Sequence, residues 1–371
     1  MAVREKEVVV PRQFKSKLVF AAMLTMVGAV NAQWTVTTLH PPASSGSVAY
    51  SVVGGQQVGQ ADAEGGYWSG SAASWVSLHP AGLNQSAVFG AGGDRQAGYV
   101  QFAQTLEFHA SLWSGTAGSW TDLNPQGSSQ SIAFDTDGVT TVGSAYIGGA
   151  GGAGLWFGTA ASWVSLHPSG AEGSEAYAID GVHQVGSAGF GGSSHAGMWS
   201  GSAASWVDLH PGVAADSMAW GAGGGQQVGE ADVEGVQTAS LWSGSSASWV
   251  NLNPGGSSGS VANNAFGGRQ VGWAYVGSQT HASLWSGTAA SWTDLHTYLP
   301  ARFSTSIANG IWVDGTTLYV VGNAYDPQAG RTEAVMWTSP VPEPATLLSV
   351  CLGLVGFTGR RRARSRQLTR L

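Results

Sequence analysis

Ser283-Leu-Trp-Ser-Gly-Thr-Ala-Ala-Ser-Trp-Thr-Asp-Leu-His296 recurs along the chain in near-identical wording, its first Trp falling at 68, 113, 156, 199, 242, 285 and 337. From Trp113 to Trp285 the step is always 43 residues. A second Trp follows seven places later in six copies, at 75, 120, 163, 206, 249 and 292. Self-similarity at a fixed period marks a repeat architecture, in which each unit buries its apolar face only against its neighbours.

Working outward, each unit holds four short phrases separated by Gly-rich turns. The first is small and alternating, as in Ser47-Val-Ala49, Ser131-Ile-Ala133 and Ser260-Val-Ala262. The second reads Gln57-Val-Gly59, Gln184-Val-Gly186 or Gln270-Val-Gly272. The third carries Leu-Trp-Ser-Gly and the fourth Ser-Trp-x-x-Leu. Runs rich in Val, Trp and Thr and bounded by Gly or Pro read as strands. Asp137-Gly138, Asp180-Gly181 and Asp314-Gly315 lie between phrases one and two, where a tight hairpin turn wants them. No segment from 33 to 340 keeps helical spacing of apolar residues, and the Gly content opposes helix.

Four strands per period of 43 is the pattern of a propeller blade. Phrases one to three occur seven times each, but phrase four occurs six times within the array and once alone at Trp34-Thr-Val-Thr-Thr-Leu-His40. The last unit stops after Met336-Trp337, lacking the phrase that the N-terminal side supplies. In an open solenoid this permutation has no purpose. In a ring, the early strand completes the last blade and hides an edge. The expectation is an all-β, seven-bladed β-propeller over 33–340, closed by the N-terminal strand; a β-helix is the runner-up. Fourteen of the 17 Trp belong to phrases three and four and are expected to pack between blades, with Ala and Gly opposite them.

Charge is unevenly placed. Between 33 and 340 there are four arginines, no lysine and 19 acidic residues, a net charge of −15. Such a surface repels a phosphate backbone, so the charge balance argues against nucleic acid as a partner. The single cysteine, Cys351, lies in a terminal apolar run, so no intramolecular disulfide forms.

The basic residues gather at the two ends. Residues 1–17 are basic and polar, 18–30 are an apolar run of 13, and Val30-Asn31-Ala32 offers small residues for cleavage before Gln33. That order is a secretory signal over 1–32. Thirteen residues at about 1.5 Å each cover about 20 Å of a bilayer core roughly 30 Å thick, too little for an ordinary span. At the other end come Val341-Pro342-Glu343-Pro344, an apolar stretch over 345–357, and a basic cluster of Arg360, Arg361, Arg362, Arg364 and Arg366. These three parts, in order over 341–371, resemble the PEP-CTERM sorting signal of Gram-negative bacteria. The resemblance implies an exosortase and the secretion machinery as partners, and a short transmembrane helix at 345–357 before processing. It also implies removal of the tail near Pro342-Glu343-Pro344 and delivery to the cell surface or its exopolysaccharide. The arginines would stay cytoplasmic, leaving the middle of the chain outside. The repeat wording, with Gln-Val-Gly-x-Ala and His109-Ala-Ser111, His195-Ala-Gly197 and His281-Ala-Ser283, resembles HAF-type extracellular repeats, although no copy keeps the Phe. That family brings no established chemistry.

Site candidates are few. Phrase four ends in His40, His79, Asn124, His167, His210, Asn253 or His296, six of them directly before Pro. Equivalent positions on seven blades diverge around a ring, so a turn opener fits better than a zinc site. Gln60-Ala-Asp-Ala-Glu-Gly65 and Glu230-Ala-Asp-Val-Glu-Gly235 are oxygen-rich loops of the kind that can hold Ca²⁺, but their spacing is not that of a helix–loop–helix calcium hand. No cofactor is expected. Trp220, Trp273 and Trp312 fall outside the repeated wording and are the candidate ligand contacts. No Ser sits in a Gly-x-Ser-x-Gly context, and without lysine there is no phosphate loop. The expectation is a non-enzymatic binding or structural component of the extracellular matrix, with exopolysaccharide as a further partner. The alternative is a glycoside hydrolase or lyase on the same scaffold, which would need two carboxylates within about 5–10 Å of each other.

Overall fold

A computed structural model describes residues 34–341. The signal peptide expected over 1–32 with cleavage between Ala32 and Gln33, Pro342, Glu343 and Pro344, the apolar stretch 345–357 and the arginine cluster lie outside the described residues. The described chain is all-β: seven four-stranded antiparallel sheets form a seven-bladed β-propeller, and the only helical turns are short 3-10 segments.

Blades one to six span 47–77, 85–122, 128–165, 174–208, 214–251 and 260–294, each meandering from an inner to an outer strand. The seventh takes three strands from 305–340, and Thr35–Thr38 adds the fourth, pairing antiparallel with Arg331–Pro340 so that Val36 faces Trp337. The inner strands contact one another in chain order, and that of blade seven also contacts that of blade one.

Each blade interface is one layer of the core. The layer between blades four and five joins Val185, Ala196 and Leu209 to Ala219 and Trp242. The layer between three and four repeats it with Val142, Ala153, Leu166, Ala176 and Trp199. The seven phrase-three Trp are fully buried in these layers. Exchanging one for Ala would cost about 3–5 kcal/mol. The phrase-four Trp pack on the same layers but are only half-buried. The fourth strand is just two residues long, for example Val76–Ser77, and follows a single 3-10 turn, Ala72–Ser74, so one ring face stays uncovered at the blade's outer edge.

Two repeated residues have specific jobs. In every blade the inner strand carries a β-bulge, such as that between Ala49 and Ser51. Opposite it stands the Gly of phrase two; at Gly229 an added Cβ would lie 1.9 Å from the Met218 carbonyl oxygen, so no side chain fits. The Gln before it clamps two turns. Gln57 accepts from Gly70 N–H at 2.7 Å and donates to the Gly55 carbonyl at 2.9 Å. This Gln is replaced by Thr141 in blade three and by Val320 in blade seven.

Candidate functional site

The connections from each fourth strand to the next inner strand lie on one face of the ring, and the rim residues ending phrase four do more there than open turns. His40, His79, His167, His210 and His296 bring Nδ1 within 2.8–2.9 Å of Ser47, Ser86, Ser174, Ser217 and Ser306, each on the inner strand of the next blade. Each Ser Oγ also accepts a backbone N–H from the third strand of the preceding blade, as Ala196 N to Ser217 at 3.0 Å and Ala334 N to Ser47 at 2.9 Å. In two blades Asn takes the place: Ser131 donates to Asn124 Oδ1 at 2.6 Å and Ser260 to Asn253 Oδ1 at 2.7 Å. The seven rim residues therefore stitch neighbouring blades together. Among the described residues no three His, Cys, Asp or Glu side chains gather as metal ligands.

Closer to the axis, the unpaired residue at each bulge turns toward the neighbouring inner strand. Tyr50, Phe89, Phe134, Tyr177 and Trp220 make a continuous arc, with successive ring centroids 5.0, 5.9, 5.2 and 4.5 Å apart. Asn263 and Asn309 carry the circle onward by donating to the Ala308 and Ala49 carbonyls at 3.0 and 2.9 Å. Burial pushes the Tyr50 hydroxyl up to about 12, and pushes the Asp135 carboxyl, next in chain to Phe134, up to about 7. Asp135 is held by the backbone N–H groups of Ile179 and Thr136 at 3.1 and 2.8 Å, so it ties blade three to blade four.

The arc borders an acidic crescent on blades three to five. One cavity of about 510 Å³ is lined by Tyr146, Glu172, Glu175, Tyr177 and Met218. A second, of about 390 Å³, shares Met218 and adds Asp216, Glu230, Asp232 and Gln237. The Tyr177 hydroxyl donates to the Glu175 carboxylate; burial first, and then that negative charge, raise the pKa of the phenol. The Gln237 amide donates to Glu230, whose carboxyl is raised by burial. Asp216 accepts the Ser194 N–H at 2.8 Å. Carboxylates beside flat aromatic faces form a polar, acceptor-rich concavity suited to hydroxyl or amine donors.

Of the three irregular tryptophans, only Trp220 reaches this crescent, where its ring centroid lies 4.5 Å from that of Tyr177. Trp273 sits on the second strand of blade six in T-shaped contact with Tyr275, centroids 5.1 Å apart. Trp312 lies 4.5 Å from Phe266 and packs on the layer between blades seven and one. All three are half-buried and they do not converge. The two acidic loops are not equivalent in register: the turn falls at Asp62 in one and at Glu234 in the other, both in the left-handed region. Asp62 is taken up by Ser45, whose N–H and hydroxyl both reach its Oδ1, at 2.7 and 2.5 Å, and hold its carboxyl below the usual range. Sequence reasoning missed four of the five axial aromatics. They share one position, three residues after the phrase-one Ser, but not one identity.

Val341, the first residue of the sorting motif, follows the last strand directly, and its N–H donates to the Thr316 carbonyl at 2.6 Å. Residues 340–362 match the PEP-CTERM protein-sorting motif, which marks an exported, surface-sorted protein whose signal an exosortase recognises. No curated protein matches the chain in sequence. Among solved structures it is similar to a prolyl endopeptidase at 14% identity and TM-score 0.52, over 83% of this chain and 51% of that one. The chain thus spans about half the length of that enzyme. It is also similar to the β-propeller domain of the trilobed protease from Pyrococcus furiosus, at 8% identity and TM-score 0.51, over 81% and 96% of the two chains. At such identities the likeness is one of fold alone.

Proposed function

We propose that this exported chain is a non-enzymatic binding module of the cell surface or extracellular matrix, taking polysaccharide as its ligand and needing no cofactor. The acidic crescent carries the reading: Glu172, Glu175, Asp216 and Glu230 present acceptors beside Tyr146, Tyr177 and Trp220. A net charge of −15 between 33 and 340 favours a neutral or amine-bearing polymer over an acidic one. The sorting motif supports the address, and the HAF-type wording of the repeats agrees with it. In the same reading the strand Thr35–Thr38 is the closure of the ring, and the tail is an anchor until it is processed.

The test is a binding titration of the exported protein against neutral and amino-sugar polysaccharides, with reducing ends assayed in parallel. Saturable binding without new reducing ends is expected. Binding to no polymer would overturn the ligand class, and new reducing ends would overturn the non-enzymatic role in favour of a glycoside hydrolase.

A further inference from the structure

A His–Asp pair recurs at thirteen-residue spacing in alternate blades, as His109–Asp122, His195–Asp208 and His281–Asp294. It joins the third strand to the short fourth strand, with Nδ1 and Oδ2 2.9, 2.8 and 2.8 Å apart. The other carboxylate oxygen accepts the backbone N–H two residues on, from Asn124, His210 or His296, at 2.8–2.9 Å. Each carboxylate is thereby held in place while keeping unused lone pairs.

In blade four the pair opens onto a cleft of about 730 Å³ lined by His167, Pro168, Phe190, His195, Trp206 and Asp208. Trp206 lies flat on its strand because Gly197 has no side chain; a Cβ there would meet the indole at 2.0–2.5 Å. Phe190 forms a second apolar wall, its centroid 5.5 Å from His195 and 6.0 Å from Trp206. The polar groups stay reachable: the side chain of Asp208 is 47% exposed and that of His195 is 22% exposed. Blade two keeps the pair and its Phe, with Phe102 4.5 Å from His109 and 6.4 Å from Trp120, but Ser111 stands in the Gly197 position and accepts the Trp120 indole N–H at 2.9 Å. Blade six keeps only the pair. Val276 stands in the Phe position and Asp294 is only 16% exposed.

We propose that the blade-four cleft is a saccharide subsite that holds one pyranose ring of a neutral or amine-bearing polysaccharide. The C–H face of the sugar stacks on Trp206 and Phe190, and its hydroxyl or amine groups donate to Asp208, which His195 positions. This inference rests on the polysaccharide-binding reading above and adds a flank subsite to the crescent.

The experiment titrates the exported protein with β-1,4-linked glucose and glucosamine hexasaccharides and repeats it with Phe190→Val, Asp208→Asn and, on the crescent, Glu175→Gln. Blade five already carries Val233 and Asn251 at the first two positions, and Asn251 Oδ1 accepts the Asn253 N–H at 2.7 Å as Asp208 accepts from His210, so both substitutions suit the fold. Each cleft variant is expected to weaken binding at least about tenfold with an unchanged thermal midpoint, the loss of one stacked or charge-assisted contact. The His195 ring resonances should shift on saturation. Binding that survives both cleft variants, or that falls only in Glu175→Gln, would overturn the cleft and leave the polysaccharide reading standing. No binding by the unsubstituted protein would overturn both.

Discussion

Five of the blade interfaces are stitched by histidine and two by asparagine, and the stitch is the same in both. A serine hydroxyl has one proton. Its oxygen already accepts a backbone N–H and keeps a second lone pair, so the chemistry of the rim residue decides which way the remaining bond runs. In the asparagine interfaces the serine proton goes to Oδ1; in His167 and His210 a carbonyl faces Nε2, which puts the neutral ring's proton there and leaves Nδ1 to accept from serine. His167 and His210 direct Nε2 to the carbonyl four residues on, at 3.2 and 3.1 Å, as Asn124 and Asn253 direct Nδ2 at 3.3 and 3.2 Å. The chain's own asparagines thus show which histidine tautomer the fold needs, and that the imidazolium is unwelcome there.

The largest way to break this comparison is at the interface where the two ends of the propeller meet. Deleting 34–40 removes the outer strand of blade seven, the fully buried Leu39 and the His40 stitch together. A loss of more than about 5 kcal/mol is expected in urea unfolding, with self-association through the exposed edge of Arg331–Pro340. Next come the serines. Ser217→Ala and Ser260→Ala each strand a buried backbone N–H and its rim partner, so both should cost about 2–3 kcal/mol, alike for a histidine and an asparagine interface. A difference of more than about 1 kcal/mol between them would mean that the two stitches are not equivalent. His167→Leu keeps the bulk but gives the serine proton no acceptor, and should cost about 1–2 kcal/mol by the same measure.

Much of this was legible before any coordinates. The period, the blade count and the early strand of blade seven follow from counting phrases, and the seven-residue spacing from His40 to Ser47 or Asn124 to Ser131 was present in the letters. The bulge was not. It inserts one residue into each inner strand, so strict alternation gives no warning that Tyr50, Phe89, Phe134, Tyr177 and Trp220 leave the sheet for the axis. Trp220 stood out only because its letter is rare at that position. The half-exposed Trp206 was likewise hidden, since a two-residue strand and a glycine beneath the ring are tertiary facts.

The smallest effect is the sharpest. Replacing His210 and His296 by Asn should leave stability within about 0.5 kcal/mol at pH 8, since Asn124 and Asn253 already make the same bonds. The difference should appear in acid. Burial lowers the folded-state pKa of His40, His210 and His296 below the ordinary 6.5, aided by the nearby charge of Arg331, His195 and His281 respectively. The unfolded chain then takes up protons first, so these residues contribute fully above pH 6.5 and their contribution is lost as pH falls through the lower folded values. Asp135, raised to about 7, works the other way, losing stability as pH climbs through the carboxylate range toward 7. Because Asp135 is common to both proteins, the difference between their unfolding free energies isolates the histidines. The doubly substituted protein should lose less stability than the parent between pH 7 and pH 5. Parallel curves would mean that the imidazoles accept a proton without disturbing the serine, and that the two kinds of stitch share a shape but not a mechanism.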